Sequence, residues 1–302
     1  SNKLYKYIRS INIFIMKFVS CNLMGGLGNQ LFQIFAVISY SMRQNCEFVF
    51  EYSTQLHSGV VRNTFWDSFL KSLLPYTSAN EANSLITSYI PKFPMHKENG
   101  YHYTCIPEHI NSEYVRLFGY FQSYKYFQQH WDEIKNLILL EQQQTDVLEH
   151  YKHIIKRKQV VSMHFRLGDY KTKQDYHPIM PYEYYLKSLK YISVQETEPK
   201  QVMYFCELQD NQVVSDMIQR LQTEFPDILF TKVDDNIPDW EQMLIMSCCQ
   251  SNIIANSSFS WWGAYMNNQN AVVCYPSRWF GPAAHNHNTK DLFPENWHKI
   301  DI

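Results

Sequence analysis

The sequence lacks the patterns that mark a disulfide framework, a metal site or a membrane span. Its seven cysteines are odd in number and include no Cys-x-x-Cys pair, so we expect buried, reduced thiols in a cytoplasmic protein. No Asp-x-Asp triplet occurs, and we interpret His285 and His287 as a solvated loop pair, so neither a metal site nor a metal cofactor is expected. The apolar stretch at 11–16 is far shorter than the roughly 20 residues that a membrane-spanning helix needs, so no stable membrane span is expected.

A large charge imbalance is also missing. The formal net charge is −2, so nucleic acid is not expected as a partner. The hydrophobic fraction of 45% is enough for a sizeable core, and a chain of 302 residues favours two domains. Met16 would be a natural start, so we interpret residues 1–16 as an N-terminal extension or as residues left by an expression vector.

Glycine is scarce, which makes its one cluster informative. There are nine glycines in 302 residues, yet Gly25, Gly26 and Gly28 fall within four positions. They lie between an apolar strand predicted at 17–23 and a helix predicted at 29–45. Such a hinge lets backbone N–H groups point at a ligand where the helix start favours negative charge. The alternative is a tight turn that needs glycine for its backbone geometry alone, since neither the dinucleotide fingerprint nor a P-loop is present.

The second half of the chain alternates between strand-like and helix-like segments, which is typical of a parallel sheet in a doubly wound α/β fold. The strand-like runs lie at 159–164, 201–206, 228–233, 252–256 and 271–275, and the helix-like segments at 182–192, 211–225, 239–247 and 258–266. Asp239 and Gln242 are expected to form a capping box at the start of the third helix.

The first half begins with a strand, the glycine hinge and a helix, and then becomes irregular. Further strands are predicted at 46–50 and 114–118, and Ser123 is expected to cap a helix that runs to Glu133. A polar, basic stretch near 150–158 is interpreted as a linker. We therefore predict an N-terminal α/β domain at 17–155 and a C-terminal Rossmann-like domain at 156–302.

Three ionisable side chains, His164, Arg166 and Asp169, cluster where the strand at 159–164 ends. In extended backbone His164 and Arg166 point the same way. An arginine here can bind a phosphate with a planar pair of donors, and Asp169 can hold that arginine, contact a hydroxyl or act as a base. The alternative is a structural Arg–Asp pair beside a buried histidine.

Asn256, Ser257 and Ser258 follow another apolar strand and open a helix. Their side chains and the free N–H groups of the helix start converge, which suits a diphosphate. Trp261 and Trp262 follow, either as core residues or as a wall of the site.

Four segments together resemble the family 11 glycosyltransferases, the α-1,2-fucosyltransferases. They read GGLGNQLFQ at 25–33, GYFQS at 119–123, HFRLGDY at 164–170 and IIANSSFSWWGA at 253–264, in the order of the family. The second arginine that many members carry is replaced here by Leu167, and the paired aspartates that often follow the strand at 201–206 are replaced by the segment 207–210.

The resemblance implies a GT-B-like α/β architecture, in which two Rossmann-like domains face a cleft. It implies GDP-L-fucose as the donor and co-substrate, the 2-hydroxyl of a galactose-terminated oligosaccharide as the acceptor, inversion at the anomeric carbon and no essential metal. The implied catalytic residues are Arg166, His164 and Asp169; the donor-binding residues are Arg166, Asn256, Ser257, Ser258, Phe259, Gly26, Gly28 and Asn29; and the acceptor-binding residues are Gln30, Tyr170, Asp175 and His177.

Three other functions remain open from the residues. A non-catalytic carbohydrate-binding protein would suit the abundance of aromatic residues, although such modules are usually rich in β-structure. A nucleotide-dependent oxidoreductase is disfavoured by the incomplete glycine fingerprint. A glycosyltransferase that uses another nucleotide sugar is the third.

Overall fold

The computed structural model describes residues 17–57, 59–108, 113–195, 199–267 and 271–302, so the interpretation of residues 1–16 lies outside it. The chain divides into two compact units. The first extends to Leu140 and takes in Asn288–Phe293, and the second comprises Glu141–His287 and Pro294–Ile302.

The first unit is built on a four-stranded parallel sheet with the strand order β2-β1-β6-β5, and β3 and β4 form a separate antiparallel hairpin. Its elements are β1 (Phe18–Cys21), α1 (Leu27–Gln44), β2 (Glu47–Phe48), β3 (Gln55–Leu56), β4 (Arg62–Asn63), α2 (Ser84–Tyr89), β5 (Met95–Lys97), β6 (Tyr114–Phe118) and α3 (Trp131–Leu137). Short 3-10 helices lie at Lys71–Tyr76, Glu81–Asn83, Ile90–Lys92, Tyr124–Tyr126 and Gln128–His130.

Helix α1 is the central helix of the first unit. It starts after Gly26 and ends at Asn45, whose left-handed backbone (φ 48°) closes the last turn. From Gln30 to Ser41 every side chain is buried, which is the pattern of a helix surrounded by other elements rather than lying on the surface. The predicted strand–hinge–helix order is therefore confirmed.

The second unit is built on a six-stranded sheet in which all neighbouring strands are parallel. Its elements are α4 (Leu140–His150), β7 (Val160–His164), α5 (Tyr182–Gln195), β8 (Gln201–Phe205), α6 (Asn211–Glu224), β9 (Leu229–Lys232), α7 (Asp239–Ser247), β10 (Ser251–Ile253), α8 (Ser258–Tyr265), β11 (Val273–Pro276) and β12 (His298–Ile300). Short 3-10 helices lie at Gly168–Thr172, Leu208–Asp210 and Pro282–Ala284.

The strand order of this sheet, β12-β11-β10-β7-β8-β9, is the Rossmann order. The chain first winds outward from β7 through β8 to β9, and then crosses back to β10 on the other side of β7. The reversal leaves a crevice at the carboxyl ends of β7 and β10, which is where ligands bind in sheets of this kind. The prediction of a doubly wound C-terminal half is thus confirmed.

The unit boundary differs from the predicted domain division at 155. Helix α4 belongs to the second unit because the Gln144 amide donates to the Ser247 hydroxyl at 2.9 Å and to the Met266 carbonyl at 3.0 Å. The segment Asn288–Phe293 belongs to the first unit because Asp291 accepts a hydrogen bond from Lys125 at 2.6 Å and one from the Tyr103 N–H at 3.2 Å.

Two predicted caps also need correction. Pro238, not Asp239, precedes the first turn of α7, and no side chain caps that helix; the Gln242 amide donates to the Ile237 carbonyl at 2.8 Å instead. Ser123 does cap, but it caps the 3-10 helix Tyr124–Tyr126 rather than a long α-helix. None of the described helices is long and apolar enough to cross a membrane.

Candidate active site

The crevice of the second unit begins with His164, the last residue of β7. Its Nδ1 lies 2.8 Å from the Ser260 hydroxyl of α8, and its ring centroid lies 5.5 Å from that of Phe259. Burial, with a smaller contribution from the positive charge of Arg166, lowers the pKa of His164 to about 3. The imidazole is therefore neutral, ties β7 to α8, and is a weak proton acceptor.

Arg166 lies two residues beyond the strand and is held by two carboxylates. Its Nη2 donates to Asp169 Oδ1 at 2.7 Å, and its Nη1 donates to Glu207 Oε1. Burial opposes the charge, but the carboxylates of Glu207 and Asp169 outweigh it, and the net effect raises the pKa of Arg166. The side chain is 25% exposed, so the guanidinium remains reachable from solvent.

Sequence analysis offered a structural alternative for this cluster, in which Arg166 pairs with Asp169 beside a buried histidine. The contacts agree with that alternative. It does not exclude binding of a phosphate, because the guanidinium carries five N–H donors and two carboxylates use only some of them.

Glu207 is a site residue that sequence reasoning missed. It comes from the loop after β8, far from Arg166 in sequence. The register of the parallel pair places His164 opposite Phe205, so Arg166 and Glu207 each lie two residues beyond paired strand ends. The sequence could have indicated this pair, because residues of opposite charge lie the same number of positions after two neighbouring strands.

The turn after Arg166 is fixed by Gly168 and by Asp210, which is fully buried. Asp210 accepts a hydrogen bond from the Gly168 N–H at 2.8 Å and one from the Lys171 ammonium at 2.6 Å. Gly168 has a left-handed backbone (φ 29°), and a Cβ there would lie 2.6 Å from Glu207 Oε2. Glycine at this position therefore makes room for the Glu207 carboxylate.

Tyr170 connects the arginine to the loop after β10. Its ring lies under the guanidinium at 5.3 Å and stacks on His177 with centroids 4.7 Å apart, and its hydroxyl donates to the Asn256 carbonyl at 3.1 Å. Burial raises the pKa of Tyr170 to about 12. Tyr170 thus lies beside Arg166 and His177 beside Tyr170, while Asp175 lies on the exposed loop between them, with its backbone carbonyl accepting from the Ala283 N–H at 2.9 Å.

The start of α8 presents some of its predicted donor-binding residues and buries others. Ser257 caps the helix by accepting from the Phe259 N–H at 3.3 Å, and Ser258 and Phe259 are partly exposed. Asn256 is buried, and its amide donates to the carbonyls of Pro178 at 2.9 Å and Trp279 at 3.2 Å. Asn256 therefore holds the loop in place.

Trp261 and Trp262 are fully buried and in contact, with ring centroids 4.9 Å apart. Of the two interpretations offered for them, the structure supports the core and not a wall of the site.

In the first unit, the glycine hinge is tied down from two sides. Gln33 brackets Met24 by accepting from its N–H and donating to its carbonyl, both at 2.9 Å. Asn29 accepts a hydrogen bond from the Gln122 amide at 2.8 Å, which joins the segment 25–33 to the segment 119–123. Gly26 and Asn29 are partly exposed, whereas Gly28 is buried.

The predicted acceptor contact of Gln30 is not supported by this geometry. The side chain has no exposed surface, and its amide donates to the carbonyls of Gly25 and Asn63, both at 2.9 Å. Gln30 therefore fixes the hinge against β4 instead of facing a ligand.

In the first unit, sequence analysis did not single out Glu98, which holds the backbone of the segment 119–123. Its Oε2 accepts from the N–H groups of Tyr120 at 2.8 Å and Phe121 at 3.0 Å. Burial raises the pKa of Glu98 against the opposing effect of these donors. Phe121 adopts a left-handed backbone (φ 52°), which a bulky residue holds only when its surroundings enforce it.

With this geometry established, comparison with known proteins defines the class: the chain belongs to glycosyl transferase family 11, whose model matches residues 17–301. The chain is 30% identical over 173 residues to the O-antigen biosynthesis glycosyltransferase WbnK of Escherichia coli, and the match covers 54% of each chain. It is 27% identical over 277 residues to an alpha-1,2-colitosyltransferase of Escherichia coli, covering 84% of this chain and 89% of that one. The chain therefore spans about half the length of the first relative and most of the second.

Among solved structures, the chain is similar to the NodZ alpha-1,6-fucosyltransferase soaked with GDP-fucose. The TM-score is 0.43 at 11% identity, with 82% of this chain and 91% of that chain covered. The family match confirms the resemblance seen in the four sequence segments. The two α/β units, each with a parallel sheet, agree with the expected GT-B-like class.

Proposed function

We propose that this protein is an inverting, metal-independent α-1,2-fucosyltransferase. It transfers L-fucose from GDP-L-fucose to the 2-hydroxyl of a galactose at the end of an oligosaccharide. The observation that carries the proposal is the reachable guanidinium of Arg166 at the carboxyl end of β7, beside the point where the strand order of a Rossmann sheet reverses. Nucleotide phosphates bind at this place in such sheets.

The charge of Arg166 suits the departing nucleotide. When the bond between the anomeric carbon and the β-phosphate breaks, negative charge grows on the phosphate oxygens. A fixed donor aimed at those oxygens lowers the barrier, because it is already oriented before the reaction. The N-terminus of α8, with Ser257 at its cap and Ser258 partly exposed, supplies further donors on the neighbouring strand end.

The acceptor hydroxyl must lose a proton as it attacks. Among the predicted catalytic residues, we assign the base to Asp169, because its side chain is 42% exposed and an acceptor hydroxyl can reach it. His164 is buried, its pKa is lowered to about 3, and its Nδ1 is hydrogen-bonded to the Ser260 hydroxyl. We therefore assign His164 the role of positioning α8.

The name of the colitosyltransferase relative bears on both linkage and donor. Its α-1,2 linkage supports the linkage proposed here, whereas its sugar favours a second candidate function, transfer of an activated colitose. Offering both nucleotide sugars with a panel of galactosides, and locating the new linkage by NMR, decides between them.

The test of the proposal is GDP release from GDP-fucose with and without a galactoside, in buffer and in EDTA. We expect acceptor-dependent release that EDTA leaves unchanged. Loss of activity in EDTA, recovered on adding a divalent cation, would contradict metal independence.

Arg166→Ala is expected to lower kcat by about a hundredfold or more, because one oxyanion donor is worth that much. Arg157→Ala, which removes an exposed arginine of the same unit, serves as the matched control and should transfer at the wild-type rate. Circular dichroism checks that both variants fold. Near-normal transfer by Arg166→Ala would refute the assignment.

A further inference from the structure

We propose that Glu207 competes with the nucleotide diphosphate for Arg166 and thereby promotes release of the nucleoside diphosphate product. The inference rests on the proposed function and goes beyond it, because it assigns a role to a carboxylate that the proposed transfer step does not use.

The contacts of Arg166 carry the first step. Its two terminal nitrogens are each engaged by a different carboxylate, Nη1 by Glu207 and Nη2 by Asp169. These two nitrogens are the pair with which an arginine binds phosphate in bidentate fashion. A diphosphate that approaches this fork must therefore displace a carboxylate or share its donors.

The charge balance carries the second step. Arg166 contributes one positive charge against the two negative charges of Asp169 and Glu207, while Lys171 and Asp210 compensate each other at 2.6 Å. Lys173, whose ammonium lies 3.9 Å from Asp169 Oδ2, adds a second positive charge, so the local sum is zero at a place that is meant to receive an anion. Neutralising one carboxylate should therefore strengthen anion binding.

Glu207 is the carboxylate that can be displaced. Asp169 is in the same turn as Arg166, three residues on, and also lies 3.9 Å from the ammonium of Lys173. Glu207 reaches across from the loop after β8; its side chain is 40% exposed, and its Oε2 accepts from the Gln209 amide at 2.6 Å. Glu207 can therefore leave Arg166 and still have hydrogen-bond partners, namely Gln209 and the solvent.

The product feels this competition more than the donor does. A nucleotide sugar is a diphosphate diester, whereas the free nucleoside diphosphate ends in a monoester that carries additional negative charge. A carboxylate that stays near Arg166 after it has been displaced therefore repels the product more strongly. Since product release limits turnover in many transferases and other enzymes, Glu207 would act as a positioning residue that favours release.

The test is Glu207→Gln, which keeps the shape and removes the charge. We expect the Kd of GDP, measured by isothermal titration calorimetry at low salt, to fall about fivefold, a modest effect because the site is partly exposed and screened. The KM for GDP-fucose should fall by a smaller factor than the inhibition constant of GDP. The kcat should also fall, because GDP is released more slowly. The difference from wild type should shrink at high salt.

Asp216→Asn is the matched control, because it removes one exposed carboxylate from helix α6 of the same unit. It should leave the Kd of GDP unchanged. If wild type binds GDP and Glu207→Gln binds it equally or more weakly, Glu207 only braces Arg166 and the inference is overturned. If wild type does not bind GDP, the proposed function itself fails, and this inference with it.

Discussion

Alanine at Gly25 and at Gly26 should separate the two interpretations of the glycine hinge, a ligand cradle or a tight turn. Gly25 has a left-handed backbone (φ 77°), and a Cβ there would lie 2.5 Å from the amide nitrogen of Asn29. Gly26 has an ordinary φ of −79°, and apart from its neighbours in the chain no described atom lies within 4 Å of the position a Cβ would take. The two neighbours therefore differ in what the fold itself demands.

The expected magnitudes follow from that geometry. Gly25→Ala costs about 1–2 kcal/mol for the left-handed backbone. It also displaces Asn29 from its hydrogen bond with Gln122, which adds about 1 kcal/mol. A total of about 2–3 kcal/mol should lower Tm by roughly 5–10 °C for a protein of this size. Gly26→Ala should leave Tm unchanged or raise it slightly, because it costs no strain and restricts the unfolded chain.

Thermal unfolding and transfer kinetics of the two variants then give the answer. If the hinge lines a ligand site, the methyl group of Gly26→Ala occupies space that the ligand uses, and kcat/KM should fall by about tenfold, roughly 1.4 kcal/mol, at normal Tm. If Gly26→Ala keeps both its Tm and its kcat/KM, the glycines serve the turn alone, and the ligand role assigned to Gly26 is refuted.

Two further predictions concern stability. Glu98→Ala should lower the free energy of unfolding by about 2–3 kcal/mol, because the N–H groups of Tyr120 and Phe121 lose their acceptor. Glu98→Gln should cost under about 1 kcal/mol, because its amide oxygen still accepts. Equal losses of the two variants in urea titrations would show that these hydrogen bonds are not what Glu98 contributes. For His164, the pKa is about 3 when folded and about 6.5 when unfolded, so the unfolded state binds the extra proton between these values and stability is lost as pH falls through that window. From pH 6.5 to 4.5 wild type should lose about 2–3 kcal/mol more than His164→Asn, and parallel pH profiles of the two proteins would show the histidine is not the cause.

The regular elements were largely predictable from the sequence because hydrophobic periodicity reports burial directly. The strand Tyr114–Phe118 and the helix Asp239–Ser247 have the predicted bounds. Alternation of strands and helices predicted a parallel, doubly wound sheet, whereas its strand order was not predicted. The capping box at Asp239 failed for a local reason. Pro238, with its fixed φ near −53°, occupies the position before the helix, so Asp239 already lies in the first turn.

The partners within the site were less predictable. The Arg166–Asp169 pair is local, three residues apart, and could be foreseen. Glu207 was missed because its neighbour depends on strand register, which a list of motifs does not contain. Gln30 was assigned to the acceptor through its place in the glycine-rich segment of the family resemblance, whereas α1 is surrounded by protein and the Gln30 amide donates to backbone carbonyls.

The most direct test of the account is the structure of the protein bound to GDP. The account predicts that the diphosphate lies within hydrogen-bonding distance of the Arg166 guanidinium, with no cation bridging it and with the Glu207 carboxylate turned away. A diphosphate bound elsewhere, or held by a metal ion while Arg166 keeps both of its carboxylate partners, would contradict it.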